Sequence, residues 1–174
     1  MNTTTLRTTS APAIGTYWPE QGGTYAGTIR GQNGQPDYHL IVASGQQENV
    51  EALAALDKPL EFGGYGKDIA GARSFADGAA NTRALLDSGH EHPAAKAVSA
   101  LTINGHSDYY LPAAGELRLL HTNVPELFKK DGWYWSSTQY SPGYAWAQVF
   151  EDGLSYIDRK YDEFRAVAVR RLAI

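Results

Sequence analysis

Two groups of side chains in this chain have the types and spacing from which a reaction could be built. His90-Glu91-His92, with His106 and His121 elsewhere, offers the histidine and carboxylate ligands that zinc prefers. An i, i+2 pair shares a face only in a strand. Here the pair immediately precedes Pro93, between two helical patterns. That placement reads as a helix cap at His92 and a solvated loop residue at His90, so no metal is expected. The second group is Asp158, Asp162 and Glu163, whose carboxyl groups could divide as acid and base. A charged, solvated loop is the simpler account of them. No G-x-S-x-G elbow marks an activated serine, although a triad assembled by folding stays open.

The composition removes other chemistries. The chain of 174 residues has no cysteine, which takes away disulfides, thiolate metal sites and cysteine nucleophiles. A formal net charge of -4 gives no electrostatic reason to bind phosphate backbones, so nucleic acid is not an expected partner. No run approaches the roughly 20 apolar residues of a membrane helix, and no signal-peptide pattern opens the chain. The length suits one domain with a sizeable core. The 18 glycines imply many tight turns, while 11 tyrosines and 4 tryptophans suit a β-rich core or a recognition surface.

The elements needed to position these residues follow from local patterns. Residues 1–14, rich in Thr and Ser, have no apolar periodicity and read as a mobile arm before one domain over 15–174. Strand-like runs over 24–30 and 37–43 flank an Asn33-Gly34 turn and predict a hairpin. A short helix is expected over 48–56 within a stretch, 44–76, that is otherwise loop. A helix capped by Asp77 and ending before Gly89 is predicted, then one opening at Pro93. A third begins after Leu111-Pro112, with Leu117 and Leu120 on its apolar stripe and an added turn after Pro125. Four strands are expected over 133–137, 144–150, 154–159 and 165–171, the middle two joined at Asp152-Gly153. In the last, Val167 and Val169 face one way and Ala166 and Ala168 the other, as in a strand covered on both sides. Hairpin, helices and meander in that order give an α+β class without βαβ alternation.

Two segments carry a family resemblance. Gly105-His106-Ser107-Asp108-Tyr109-Tyr110-Leu111-Pro112-Ala113-Ala114-Gly115-Glu116-Leu117 resembles a G-x-x-D-W-x-L-P-x-x-x-E-L signature, with tyrosines where a tryptophan is common. Trp133-Tyr134-Trp135-Ser136-Ser137-Thr138 resembles a Y-W-S-S-T strand, followed by Ala145-Trp146 and Phe150-Glu151-Asp152-Gly153. Together they resemble the C-type-lectin-like proteins of bacteria and phages named after the C-terminal domain of a collagen-like adhesin. Relatives include the formylglycine-generating fold and phage tropism determinants. The motif residues are expected to make the fold, with Trp133, Trp135 and Trp146 as rigid core fillers and Glu116 at a helix start.

The resemblance implies an α+β, C-type-lectin-like fold without enzymatic activity. The cysteines of the cysteine-oxidising enzyme branch are absent, as are the H-x-x-x-H-x-E iron motif of the other oxidative branch and the Glu-Pro-Asn and Trp-Asn-Asp strings that bind calcium. No cofactor is expected. The implied contact residues are Tyr140, Tyr144, Tyr156, Asp158, Arg159, Lys160, Tyr161 and Asp162, on the last hairpins. The implied role is a binding domain of a tailed phage or prophage, on the virion or in the host cytoplasm. Its partner would be a host protein, a host surface glycan or another virion protein, and a homo-oligomer is compatible. A cytosolic, phage-encoded regulator or inhibitor docking on a host protein and a hydrolase using the acidic loop are the alternatives.

Overall fold

The structure, a computed structural model, describes residues 10–32, 34–44 and 50–174. β1 (Tyr17–Trp18) and β2 (Gly23–Ile29) run antiparallel, as do β2 and β3 (Tyr38–Val42), with Thr24 opposite Val42 and Ile29 opposite Tyr38. The described part of the expected arm, 10–14, packs on this sheet through Ala11, beside Trp18, Tyr25 and Ile41. Residues 1–9 lie outside the described residues, as do Asn33 and 45–49, including the expected helix start at Glu48.

Helices occupy the middle of the chain: α1 (Val50–Ala54), α2 (Gly78–Asp87), α3 (Pro93–Ser99) and α4 (Ala114–Asn123). Asp77 caps α2 as its side chain suggests, accepting the Ala80 N–H at 3.0 Å. Within the expected loop, β4 (Leu60–Glu61) forms the edge of a two-stranded sheet. A three-stranded antiparallel sheet follows, made of β5 (Trp133–Ser141), β6 (Tyr144–Val149) and β7 (Ser155–Arg159). Gly153 at φ +75° and the Asp152 carboxylate, accepting the Leu154 N–H, make the predicted turn between the last two. β5 runs four residues beyond its expected end because irregular register past Trp135 keeps it paired with β6. β8 (Glu163–Phe164) pairs with β4, and β9 (Val169–Ala173) joins β3, giving the order β1-β2-β3-β9. The architecture is mixed α and β with antiparallel sheets, as the element order implies.

The run 165–171 does not form one strand. Arg165 exchanges bonds with Trp133 and Trp135, Ala166 donates to Leu56 O, and Ala168 O accepts from Ala43, so regular pairing in a sheet starts only at Val169. Its alternation nevertheless decides the interior. Ala166 and Ala168 pack with Phe62, Leu85, Leu111 and Trp135; Val167 and Val169 pack with Leu40, Leu117, Tyr134 and Phe150. One extended segment is the wall between two apolar clusters. Of the three expected tryptophan fillers only Trp135 is wholly buried, its indole N–H donating to Leu60 O at 2.8 Å. Trp133 and Trp146 are half-buried, Trp133 packing at the margin of the Trp135 cluster and Trp146 against Phe75 and Tyr140.

The signature residues tie these layers together. Asp108 pairs with Arg170 at 2.7 Å, Tyr109 donates to Gly22 O, and Thr138 donates to Ser74 O while accepting the Ala114 N–H. At their centre lies the buried carboxylate of Glu116. Its Oε1 accepts from the hydroxyls of Tyr38 at 2.6 Å and Tyr110 at 2.7 Å, and its Oε2 accepts the Ala113 N–H at 2.7 Å, the side-chain half of a capping box. Gly78 makes room for it, since a Cβ there would lie 2.4 Å from Oε2. Burial pushes the Glu116 carboxyl up, and the three hydrogen bonds hold it down in part. Glu116→Ala leaves the buried Tyr110 hydroxyl and Ala113 N–H unpaired, while Tyr38 keeps the Ala76 carbonyl at 3.0 Å, and is expected to cost about 2 kcal/mol or more. Glu116→Gln, which forfeits only the Ala113 bond, should cost less. Urea unfolding at neutral pH measures both, and a loss under about 1 kcal/mol in the alanine variant would show the hub to be dispensable.

Candidate functional site: an aromatic strip over a buried lysine

Strand alternation sorts the expected contact residues onto two faces. Tyr144 and Trp146 of β6 lie opposite Arg159 and Ile157 of β7, while Ala145 and Ala147 lie opposite Asp158 and Tyr156. The alanines face the core. Tyr156, beyond them, leans on Trp133 with ring centroids 5.4 Å apart and stays largely exposed. The other face carries a strip of rings. Phe75 meets Trp146 at 5.4 Å, Trp146 meets Tyr140 at 5.9 Å, and at the far end Tyr65 meets Tyr161 at 4.8 Å. Arg159 joins the two parts: it lies across from Tyr144 and donates to the Tyr161 hydroxyl at 2.8 Å.

Lys160 is placed otherwise than the sequence reading implies. Its side chain turns inward and is fully buried. Nζ donates to Gln139 Oε1 at 2.6 Å and to Lys67 O at 2.9 Å, above the Phe62 ring. Its backbone N–H donates to Gly143 O and its carbonyl accepts from Gly63. Gln139 in turn accepts the Ile69 N–H and donates to Asp68 at 2.6 Å; Asp68 pairs with Arg73, which donates to Tyr140 O. Gly66 N–H reaches Pro142 O. The loop after β4 is thus fastened to the turns on either side of β6 and β7. Those segments hold Tyr65, Tyr140, Tyr144 and Tyr161, and the Lys160 ammonium is their common anchor. Burial draws its pKa down to about 8, with Asp68 opposing.

The groups weighed for catalysis come out differently. Asp158 and Asp162 do approach one another. Burial and the facing Asp158 carboxyl push Asp162 above the usual carboxylate range, on a turn open to solvent. Glu163 leaves the pair and stands opposite Glu61 across β4 and β8. Two cavities of about 560 Å³ among the described residues lie elsewhere, one lined by Val42, Leu56 and Tyr134, the other by Asp77, Arg83, Tyr110 and Arg171. Among the described residues no three His, Asp or Glu side chains gather as metal ligands. No helix among them is long and apolar enough to cross a membrane. His92 holds the N-cap position of α3, but its side chain does not cap the helix. It faces the interior, with Nδ1 3.0 Å from Phe62 O. A carbonyl only accepts, so Nδ1 carries the proton, and buried Nε2 is left without a partner.

No family model matches the chain, and no curated protein matches it in sequence.

Sequence reasoning missed Tyr65, Phe75 and Trp146 as members of this surface, and with them Arg118 of α4, whose guanidinium lies over the Phe75 ring. Only their residue types signalled it, since Tyr65 and Phe75 sit in irregular chain. The buried bases give the site two pH limits. Burial holds the His92 pKa below its ordinary 6.5, assisted by the Lys160 charge and opposed by the Phe62 carbonyl bond. Below about pH 6.5 the unfolded chain therefore takes up the proton first, and stability should fall as pH drops. Between about 8 and 10.5 the unfolded chain likewise holds the Lys160 proton longer, so this group's contribution to stability rises with pH. Thermal midpoints across pH should show both limbs. His92→Gln should flatten the acid limb and Lys160→Met the alkaline one; variants that parallel the parent curve would exclude these groups as the source.

Proposed function

We propose that the chain is a non-enzymatic binding domain of the C-type-lectin-like group and that the aromatic strip is its contact surface. The fold reading is supported by the signature residues, since Asp108, Tyr110, Glu116, Trp135 and Thr138 all serve as framework ties. The functional reading is carried by one observation. Buried Lys160 joins the segments that carry Tyr65, Tyr140, Tyr144 and Tyr161, its ammonium bonding Lys67 O and the Gln139 side chain and its backbone bonding Gly143 and Gly63. Tyrosine offers a large contact area with two rotatable angles, and holding the backbone in advance removes ordering cost from binding. By resemblance, the domain belongs to a tailed phage or prophage and engages a host or virion component.

A photo-reactive residue at Tyr144 should cross-link a partner from host fractions, whereas one at exposed Leu86 of α2 should not. With the cross-linked partner purified, Tyr140→Ala together with Tyr144→Ala should weaken binding by about tenfold or more. Undiminished binding by the folded double variant would assign the contact to another face.

A further inference from the structure

We propose that the partner of the aromatic strip is an acidic protein segment, read by Arg118 beside Phe75 and by Arg159 between Tyr144 and Tyr161. This rests on the strip being the contact surface. Arg73, Arg165, Arg170 and Arg171 each pair with a carboxylate of the chain itself. Arg159 and Arg118 do not among the described residues. Arg159 bonds the Tyr161 hydroxyl and lies 5.7 Å from that ring's centroid; Arg118 lies 5.8 Å from the Phe75 centroid and reaches only Ser155 Oγ, at 3.5 Å.

Each guanidinium is parked on an aromatic ring, which limits its freedom while its fork keeps donors for a carboxylate. No carboxylate nearby pairs with either fork among the described residues. Asp68 is held by Arg73 and Gln139. Asp158 accepts the Arg159 backbone N–H from the other side of β7, and Asp162, turned toward Asp158, feels the Arg159 charge without pairing with its guanidinium. A chain of net charge -4 therefore carries two guanidinium forks on an aromatic strip that no carboxylate of the described residues takes up, and charge complementarity selects an anionic occupant. Ring orientation favours protein over glycan. Tyr140 and Trp146 meet at 85°, Phe75 and Trp146 at 69°, and Tyr65 and Tyr161 at 59°. Such rings make notches for side chains, not a flat platform for sugar rings.

An immobilised glutamate–tyrosine copolymer is the probe, with a lysine–tyrosine copolymer and heparin as comparisons. The intact chain should prefer the glutamate–tyrosine polymer and release it as ionic strength rises. Arg118→Gln with Arg159→Gln should weaken that binding by about tenfold or more, with the thermal midpoint unchanged. Absence of binding, equal binding to the lysine polymer, tighter binding to heparin, or an unaffected arginine variant would each overturn the acidic partner. If Tyr140→Ala with Tyr144→Ala abolishes capture of the cross-linked partner while the arginine variant does not, the strip stands and its charge preference falls. If only the arginines matter to the copolymer, the strip itself is misassigned.

Discussion

A single carboxylate organises the interior. Glu116 is fully buried, and a carboxylate so placed is tolerated only when donors surround it. Its donors come from Tyr38 of β3 and from Tyr110 and the Ala113 N–H of the segment leading into α4, whose first turn carries the carboxylate itself. Arg171 of β9 stands over the rings of the two tyrosines that serve it and pairs with Asp77, the cap of α2. The first sheet, two helices and the last strand therefore meet at one point, and none can shift without unpairing a buried polar atom.

The second sheet is built on that frame and ends in the strip. Ser137 N–H donates to Pro112 O, and Ser136 bonds the carbonyl of Trp146, so β5 is held both to the signature segment and to its own neighbour. Past Gln139 the ties change character. Hydrogen bonds to loop carbonyls and one buried ammonium replace regular pairing. This graded arrangement, with a rigid sheet below and cross-braced turns above, is what a surface needs if its tyrosines are to meet a partner without prior ordering.

Much of the frame was legible in the sequence because it depends on neighbours close along the chain. Asp77 as a cap, Asp152-Gly153 as a turn and the alternation through 166–169 are local facts, and the structure follows each. The candidate site was legible only in outline. The exposed tyrosines were found, but Lys160 in a polar turn has the sequence appearance of a solvated side chain. Its acceptor on Lys67 lies 93 residues away and its acceptor on Gln139 lies 21 away. Tyr65 and Phe75 escaped for the same reason: no periodicity marks a residue in irregular chain, and only the fold brings it beside the hairpins. His92 sits at a helix start in sequence, yet the Phe62 carbonyl claims its ring.

The pairing of β3 with β9 has a kinetic meaning. β3 lies early in the chain and β9 is the last strand described, with Val42 opposite Val169. Until the later residues have been synthesised, Leu40 and Val42 have no partner strand on that side, and the wall that separates the two apolar clusters is missing. Closing so large a loop is slow, and an unpaired apolar edge exposed in the interval invites association between nascent chains. Assembly of this protein thus waits on its final strand, and it is during that wait, more than after it, that the chain is vulnerable.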